Sequence, residues 1–259
     1  MLDQKPLVSI ILPTYNGSRY IKEAIKSCLE QTYSHLELII IDDGSTDNTA
    51  QIIQSLDDPR LKLIHLDHNQ GHIAALNKGF ALAQGDYLTW TSDDNYYALN
   101  ALTVMLEELA QSKVDFVYTR YHVIDAAGNI QRQGRTEPPA YLDIDNCVGG
   151  CFLYHRKVYE TVGDFNKEAF LAEDYEYWLR VRSKFKMKNI DTVLYYYRNH
   201  PSSLTGVHKE AKVQEQVQKI RSRFLPFWKK TYFYTMNQLR RIKKFYRHSE
   251  AKPKNLKTS

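Results

Sequence analysis

VSIILPTYN (8–16), LELIIIDDGS (36–45) and DYLTWTSDD (86–94) decide the fold. The first two open as near-continuous runs of apolar and β-branched residues, the pattern of strands buried on both faces. All three then stop abruptly, at Pro13–Thr14–Tyr15, Asp42–Asp43 and Asp93–Asp94. Between them lie helical patterns. Ile21, Ala24, Ile25, Cys28 and Leu29 fall on one helix face, with Ser18 as the expected N-cap. Ser45 or Thr46 is expected to cap a second helix, LKLIHL (61–66) reads as another strand, and a further helix is expected over about 72–83. Alternating strands and helices of this length imply an α/β fold with a parallel sheet flanked by helices. Such sheets bind ligands beyond the carboxyl ends of their strands. That convergence puts a tyrosine and four carboxylates around one crevice. Both Asp pairs follow strands expected to be neighbours, and carboxylates crowded in this way call for a cation among them.

The second half is less regular. Residues 114–125 and 130–135 read as a hairpin, Gly149–Gly150 as a close backbone approach or a tight turn, and 155–162 as a short helix. A helix opens at Glu173–Asp174, with acids in its first turn as a helix N-terminus favours, and TVLYYYR (192–198) is a last strand before Asn199–His200.

Charge divides the chain in two. Residues 209–259 hold 15 Lys and Arg against 3 Asp and Glu, a balance of +12, while residues 1–208 carry −7. The basic part interleaves Phe224, Phe227, Trp228, Tyr232, Phe233, Tyr234, Phe245 and Tyr246 with Lys and Arg, a composition suited to an interfacial helix on anionic lipid. The expected division is therefore a domain over 1–208 and a basic aromatic-rich helical tail over 209–259. Nucleic acid is not an expected partner: the body is acidic and no base-reading motif is present. The three cysteines, Cys28, Cys147 and Cys151, have neither disulfide nor zinc-site spacing and read as reduced and structural. No signal-peptide pattern and no apolar run of membrane-spanning length is seen, so a cytoplasmic location, peripheral at the inner face of the plasma membrane, is expected.

Six segments in consistent order carry a resemblance: residues 8–49, NQGHIAALNKG (69–79), GDYLTWTSDDN (85–95), GGCFLYHRKVYETVGDFN (149–166), AEDYEYWLRV (172–181) and YYYRNHPSSLT (195–205). Together they resemble the family 2 glycosyltransferases, inverting enzymes of the GT-A fold, a nucleotide-diphospho-sugar transferase architecture with a mixed sheet flanked by helices. The resemblance implies a metal-dependent enzyme, using Mn²⁺ or Mg²⁺, that moves a sugar from a nucleotide-sugar donor, a UDP-sugar, to a hydroxyl of a glycan or lipid-linked acceptor in surface polysaccharide synthesis. It also implies roles. Pro13, Thr14 and Tyr15 would line the nucleotide pocket and Asp43 would accept a hydrogen bond from the base edge. Asp93 would contact the ribose or a metal-bound water, and Asp94 would bind the metal. Asp174 would be the general base, and His200 would close over the diphosphate or reach the metal. Inverting transfer requires one carboxylate to take the proton of the attacking hydroxyl and positive charge beside the departing diphosphate.

One position departs from the pattern. Many relatives carry Arg-Asn where this chain has Leu76–Asn77, and Lys78 is the nearest replacement for the missing charge. Two rivals remain. A sugar nucleotidyltransferase would show a Gly-rich phosphate loop with Arg and Lys after the first strand, which Pro13–Thr14–Tyr15–Asn16–Gly17 is not. A non-catalytic nucleotide-sugar-binding protein of the same fold would have no need of Asp43, Asp94 and Asp174 together.

Overall fold

The computed structural model describes residues 5–207 and 210–224. Strands β1 (Val8–Thr14) and β2 (Leu36–Asp42) are buried at every position. The reason is visible in their alternation. Ile11, Ile39 and Ile41 enter one core with α3 (His72–Leu82), α5 (Arg156–Val162) and α6 (Glu173–Lys184). Val8, Ile10, Leu12, Leu38 and Ile40 enter the other, with α1 (Ile21–Leu29), α2 (Thr49–Gln54) and α4 (Ala101–Ser112). A strand with helices on both faces has no solvent side, so its sequence loses the polar alternation.

The sheet runs β3-β2-β1-β4-β8-β6-β9-β5, with β7 paired to β6. Here β3 is Leu61–His65, β4 Tyr87–Trp90, β5 Tyr96–Tyr97, β6 Phe116–Ile124, β7 Ile130–Gln133, β8 Phe152–His155 and β9 Met187–Arg198. The first four strands are mutually parallel, and β8 pairs antiparallel to both β4 and β6. The sheet is thus mixed. Strands β2 and β4 are not neighbours as expected: β1 lies between them, so the two Asp pairs flank the β1 terminus instead of standing side by side.

Other local expectations shift as well. Ser18 does not cap α1; Tyr20 and Ile21 donate their backbone N–H groups to Gly17 O, and the helix begins at Ile21. Asp47 holds the start of α2 by accepting from Thr49 N at 2.9 Å. Ser45 and Thr46 instead stitch the β2 loop to the β1 loop: Asn16 N donates to Ser45 Oγ and Thr46 N donates to Asn16 Oδ1. Residues 96–112, unassigned from sequence, form β5 and α4, and β9 begins five residues earlier than expected.

Helix α8 (Glu210–Phe224) returns to the body. Val217 and Ile220 are buried in the α3–α6 core, Val213 packs against it, and Arg221 donates to Ile144 O. The rest of the tail, including Phe227, Trp228 and Tyr232–Tyr234, lies outside the described residues. All three cysteines are free and buried. Among the described residues no helix is long and apolar enough to cross a membrane.

Candidate active site

At the end of β1 the chain turns into the site. Pro13 is buried within the strand opposite Ile41, and Thr14 donates its hydroxyl to Asp93 Oδ2. Tyr15 is the first residue to emerge, 48% exposed, with its ring free of the core. Gly17 is required here by space: a Cβ at that position would overlap the Asp93 carboxylate and the Thr14 hydroxyl. At the end of β2 the two acids separate. Asp42, fully buried, closes the turn by accepting from Ser45 N and pairs with His65 Nδ1 at 2.9 Å. It is therefore a structural residue, not part of the crevice. Asp43 accepts from Gln70 N and Gly71 N, each at 2.8 Å, and so fixes the start of α3. Each of its oxygens keeps a further lone pair.

The loop after β4 holds the second acid pair. Burial, reinforced by the charge of Asp94, pushes Asp93 up to about 7. Burial also raises Asp94, against the pull of His200. Its Oδ2 lies 3.0 Å from His200 Nε2, and Ser202 Oγ lies 2.9 Å from His200 Nδ1. His200 is buried, 8% exposed, with its ring 5.1 Å from that of Tyr20. Arg198 ties these pieces together. Its guanidinium donates to Asp94 O, Asp125 O and Ala126 O, pairs with Glu23, and lies over the Tyr20 and Tyr96 rings. A buried arginine needs this many acceptors, because an unpaired charge in such a place would be costly.

Across the crevice, α6 presents Glu173 and Asp174 in its first turn. Asp174 Oδ1 accepts from Tyr175 N at 2.6 Å and Oδ2 from Asn146 Nδ2 at 2.7 Å. Burial, followed by the adjacent Glu173 charge, pushes Asp174 up to about 6. Glu173 is raised by burial too, and its Oε2 is buried without a hydrogen-bond partner.

His72, at the first position of α3, joins the two sides. Its Nε2 lies 3.8 Å from Glu173 Oε1 and its ring meets Trp90 edge-on at 5.5 Å. Burial pushes it down to about 4, although Asp174, Asp43 and Asp94 all pull the other way. It is therefore neutral at pH 7. His72 follows Gly71, which donates to Asp43, touches Trp90 of β4 and lies beside Glu173, the neighbour of Asp174, so it stands between the elements that carry the three carboxylates.

Sequence reasoning gave no role to His72, Trp90, Asn146 or Arg198. The first two and Arg198 sit inside the quoted motifs, where position relative to a strand end was a usable signal. Asn146 lies in a loop with no periodic pattern. Leu76, where relatives carry arginine, is fully buried in the core, while Asn77 clamps Phe165 by donating to its O and accepting from its N. Lys78 is exposed.

The residues present fit a divalent cation. Asp94 Oδ1 is buried with no partner, and His200 Nε2 already faces the other oxygen of that carboxylate. In the Nε2–H tautomer His200 donates to that oxygen; with Nε2 unprotonated, its lone pair would stand beside the carboxylate as a second cation ligand. Among the described residues no three His, Cys, Asp or Glu side chains form a complete cage. Cations that serve phosphate chemistry take one or two protein carboxylates and complete their shell with substrate oxygens and water.

The family model for glycosyl transferase family 2 matches residues 9–163. An uncharacterized glycosyltransferase of Haemophilus influenzae is 42% identical over 126 residues, 48% of this chain and 50% of that protein. A putative teichuronic acid biosynthesis glycosyltransferase of Bacillus subtilis, TuaG, is 36% identical over 130 residues, 49% of this chain and 52% of that protein. The chain thus spans about half the length of these curated relatives. Among solved structures, S. aureus TarS in complex with UDP-GlcNAc superposes with a TM-score of 0.67 at 19% identity, covering 82% of this chain and 66% of that one. The mannosyltransferase PcManGT of Pyrobaculum calidifontis, in complex with GDP-Man and Mn²⁺, gives 0.60 at 21% identity, covering 78% and 59%. The structural likenesses establish the GT-A fold that the sequence resemblance implied. With the family model covering more than half its length, the chain belongs to glycosyl transferase family 2.

Proposed function

We propose that this chain is an inverting glycosyltransferase that moves a sugar from a nucleoside diphosphate, a UDP-sugar, to the hydroxyl of a glycan or lipid-linked acceptor. The observation that supports this is the place of His72: it follows Gly71, which donates to Asp43 at the end of β2, packs on Trp90 of β4, the strand before Asp94, and lies 3.8 Å from Glu173 beside Asp174 on α6. TarS and PcManGT, described with UDP-GlcNAc and GDP-Man, support a nucleotide-sugar donor. The likeness to TuaG, a putative teichuronic acid biosynthesis glycosyltransferase, supports a role in surface polysaccharide synthesis.

In this mechanism the exposed Tyr15 ring stacks on the base and Asp43 accepts from the base edge with its remaining lone pairs. Pro13 and Thr14 shape the pocket floor, and Thr14 holds Asp93 toward the ribose. Asp94 and His200 would hold a divalent cation, which offsets the charge of the departing diphosphate. On the opposite side the Asp174 carboxylate takes the proton of the acceptor hydroxyl. The freed oxygen pair bonds to the anomeric carbon, and the glycosidic pair leaves with the nucleoside diphosphate. A carboxylate pushed up to about 6 is a stronger base than an ordinary one and is still ionised at pH 7. Neutral His72 adds no positive charge that would weaken it.

The test is release of nucleoside diphosphate from a panel of UDP- and GDP-sugars with Mn²⁺, using wild type and Asp174→Asn. The expected result is release from one donor, reduced by roughly a hundredfold or more in the variant. No release from any donor, or release indifferent to Asp174→Asn, would refute the proposal.

A further inference from the structure

We propose that Asn146 is the positioning residue of the base: its carboxamide fixes the Asp174 carboxylate in one orientation and holds it ionised. This rests on Asp174 being the base. Asn146 Nδ2 donates to Asp174 Oδ2 at 2.7 Å, while Tyr175 N donates to the other oxygen at 2.6 Å. Both oxygens are thereby held, and the carboxylate cannot rotate without breaking both bonds.

The orientation of the amide matters. Its Oδ1 accepts from Val148 N at 3.4 Å, which leaves the NH₂ group for Asp174. An ionised carboxylate can only accept, so it requires that NH₂. A protonated Asp174 would accept more weakly from that NH₂, because a hydrogen bond to a charged oxygen is the stronger one. The two donors therefore oppose protonation, against the burial and the Glu173 charge that raise it.

The loop that carries Asn146 is itself held from α6 and α8. Tyr175 OH donates to Leu142 O at 2.7 Å, Arg182 pairs with Asp143 and donates to Pro139 O, and Arg221 donates to Ile144 O. The same helix that bears the base thus fixes the loop that orients it. Among the described residues, Glu173 beside Asp174 raises its proton affinity, His72 from α3 is neutral, the Tyr121 phenol from β6 is raised by burial, and Asn146, Tyr175 N and the N–H of Asp174 itself are the donors that oppose protonation.

The test needs no substrate. Wild-type protein labelled with ¹³C at aspartate carboxyls is titrated by NMR, with the Asp174 signal assigned by its loss in Asp174→Asn. Asn146→Ala should raise the Asp174 midpoint by about one unit, a tenfold gain in proton affinity. The near-isosteric Asn146→Asp should raise it further by adding a like charge, and it preserves packing if the alanine variant folds poorly. An Asp174 midpoint that does not move in the folded variants would overturn the proposal. Because the readout is the carboxylate itself, that outcome is separate from a failure to find a donor.

Discussion

At Asp174 the role proposed for the residue works against the stability of the fold. Its proton affinity is higher in the folded protein than in an unfolded chain, where the ordinary value is 3.8. The folded state therefore favours the protonated acid. The contribution of this group to stability is greatest below the unfolded value, falls as pH rises from 3.8 to about 6, and stays lost above that. A shift of this size corresponds to at most about 3 kcal/mol at neutral pH. Asp174→Asn keeps the volume and the bond from Tyr175 N but removes the charge. It is expected to stabilise the protein at pH 8 by roughly 1–3 kcal/mol, several degrees in Tm, with a smaller gain at pH 5. Thermal unfolding of both proteins at the two pH values checks this. A loss of stability at pH 8 would mean that the charge is better compensated than its surroundings suggest. Gly17 and Asp93 illustrate a different constraint, in which a carboxylate occupies the space that a side chain would need.

At the scale of elements, strands β1 and β2 were legible because burial on both faces leaves an unmistakable apolar run. Helix α4 was equally legible in principle. Ala101, Leu102, Met105 and Leu109 are its buried face at helical spacing, and no part of the site drew attention to it. Helix starts were harder, because Ser18, Ser45 and Thr46 are good caps in isolation. Asn16 and Asp47 compete for the same groups across loops joined only in the fold. The order β2-β1-β4 could not be read at all, since nothing in a strand's own residues names its neighbour. Helix α8 shows that the chain beyond 209 begins as part of the body, through Val217 and Ile220, before the aromatic and basic stretch. That stretch is proposed to dock on anionic lipid. The full chain should co-sediment with phosphatidylglycerol-containing vesicles at low salt and release at high salt, as electrostatic attachment requires. Absence of binding at low salt would sink the idea.

For the whole molecule, the sheet divides labour. Its parallel half brings Tyr15, Asp43, Asp93 and Asp94, the proposed donor side, to the ends of β1, β2 and β4, where the strand pattern of the sequence put them. Its mixed half, through β8, β6 and β9, carries α6 and the loop at 146 across to face them. The proposed base, Asp174, is suggested in the sequence only by family resemblance, because an acid pair at a helix start looks like an ordinary cap. Its orienting partner was invisible, since an asparagine in a loop acquires meaning only when folding brings it to a carboxylate. Arg198 and His200, at the end of β9, reach back to Asp94, the proposed metal ligand.

These halves are proposed to meet around a metal-bound nucleoside diphosphate. Calorimetric titration of UDP into the full chain, with Mn²⁺ and with chelator, on wild type and Asp94→Asn, tests it most directly. Binding with Mn²⁺ is expected to weaken at least about tenfold, or about 1.4 kcal/mol, when the metal is removed or Asp94 is replaced. Equal affinity in all conditions, or failure of UDP, GDP and dTDP alike to bind, would contradict it.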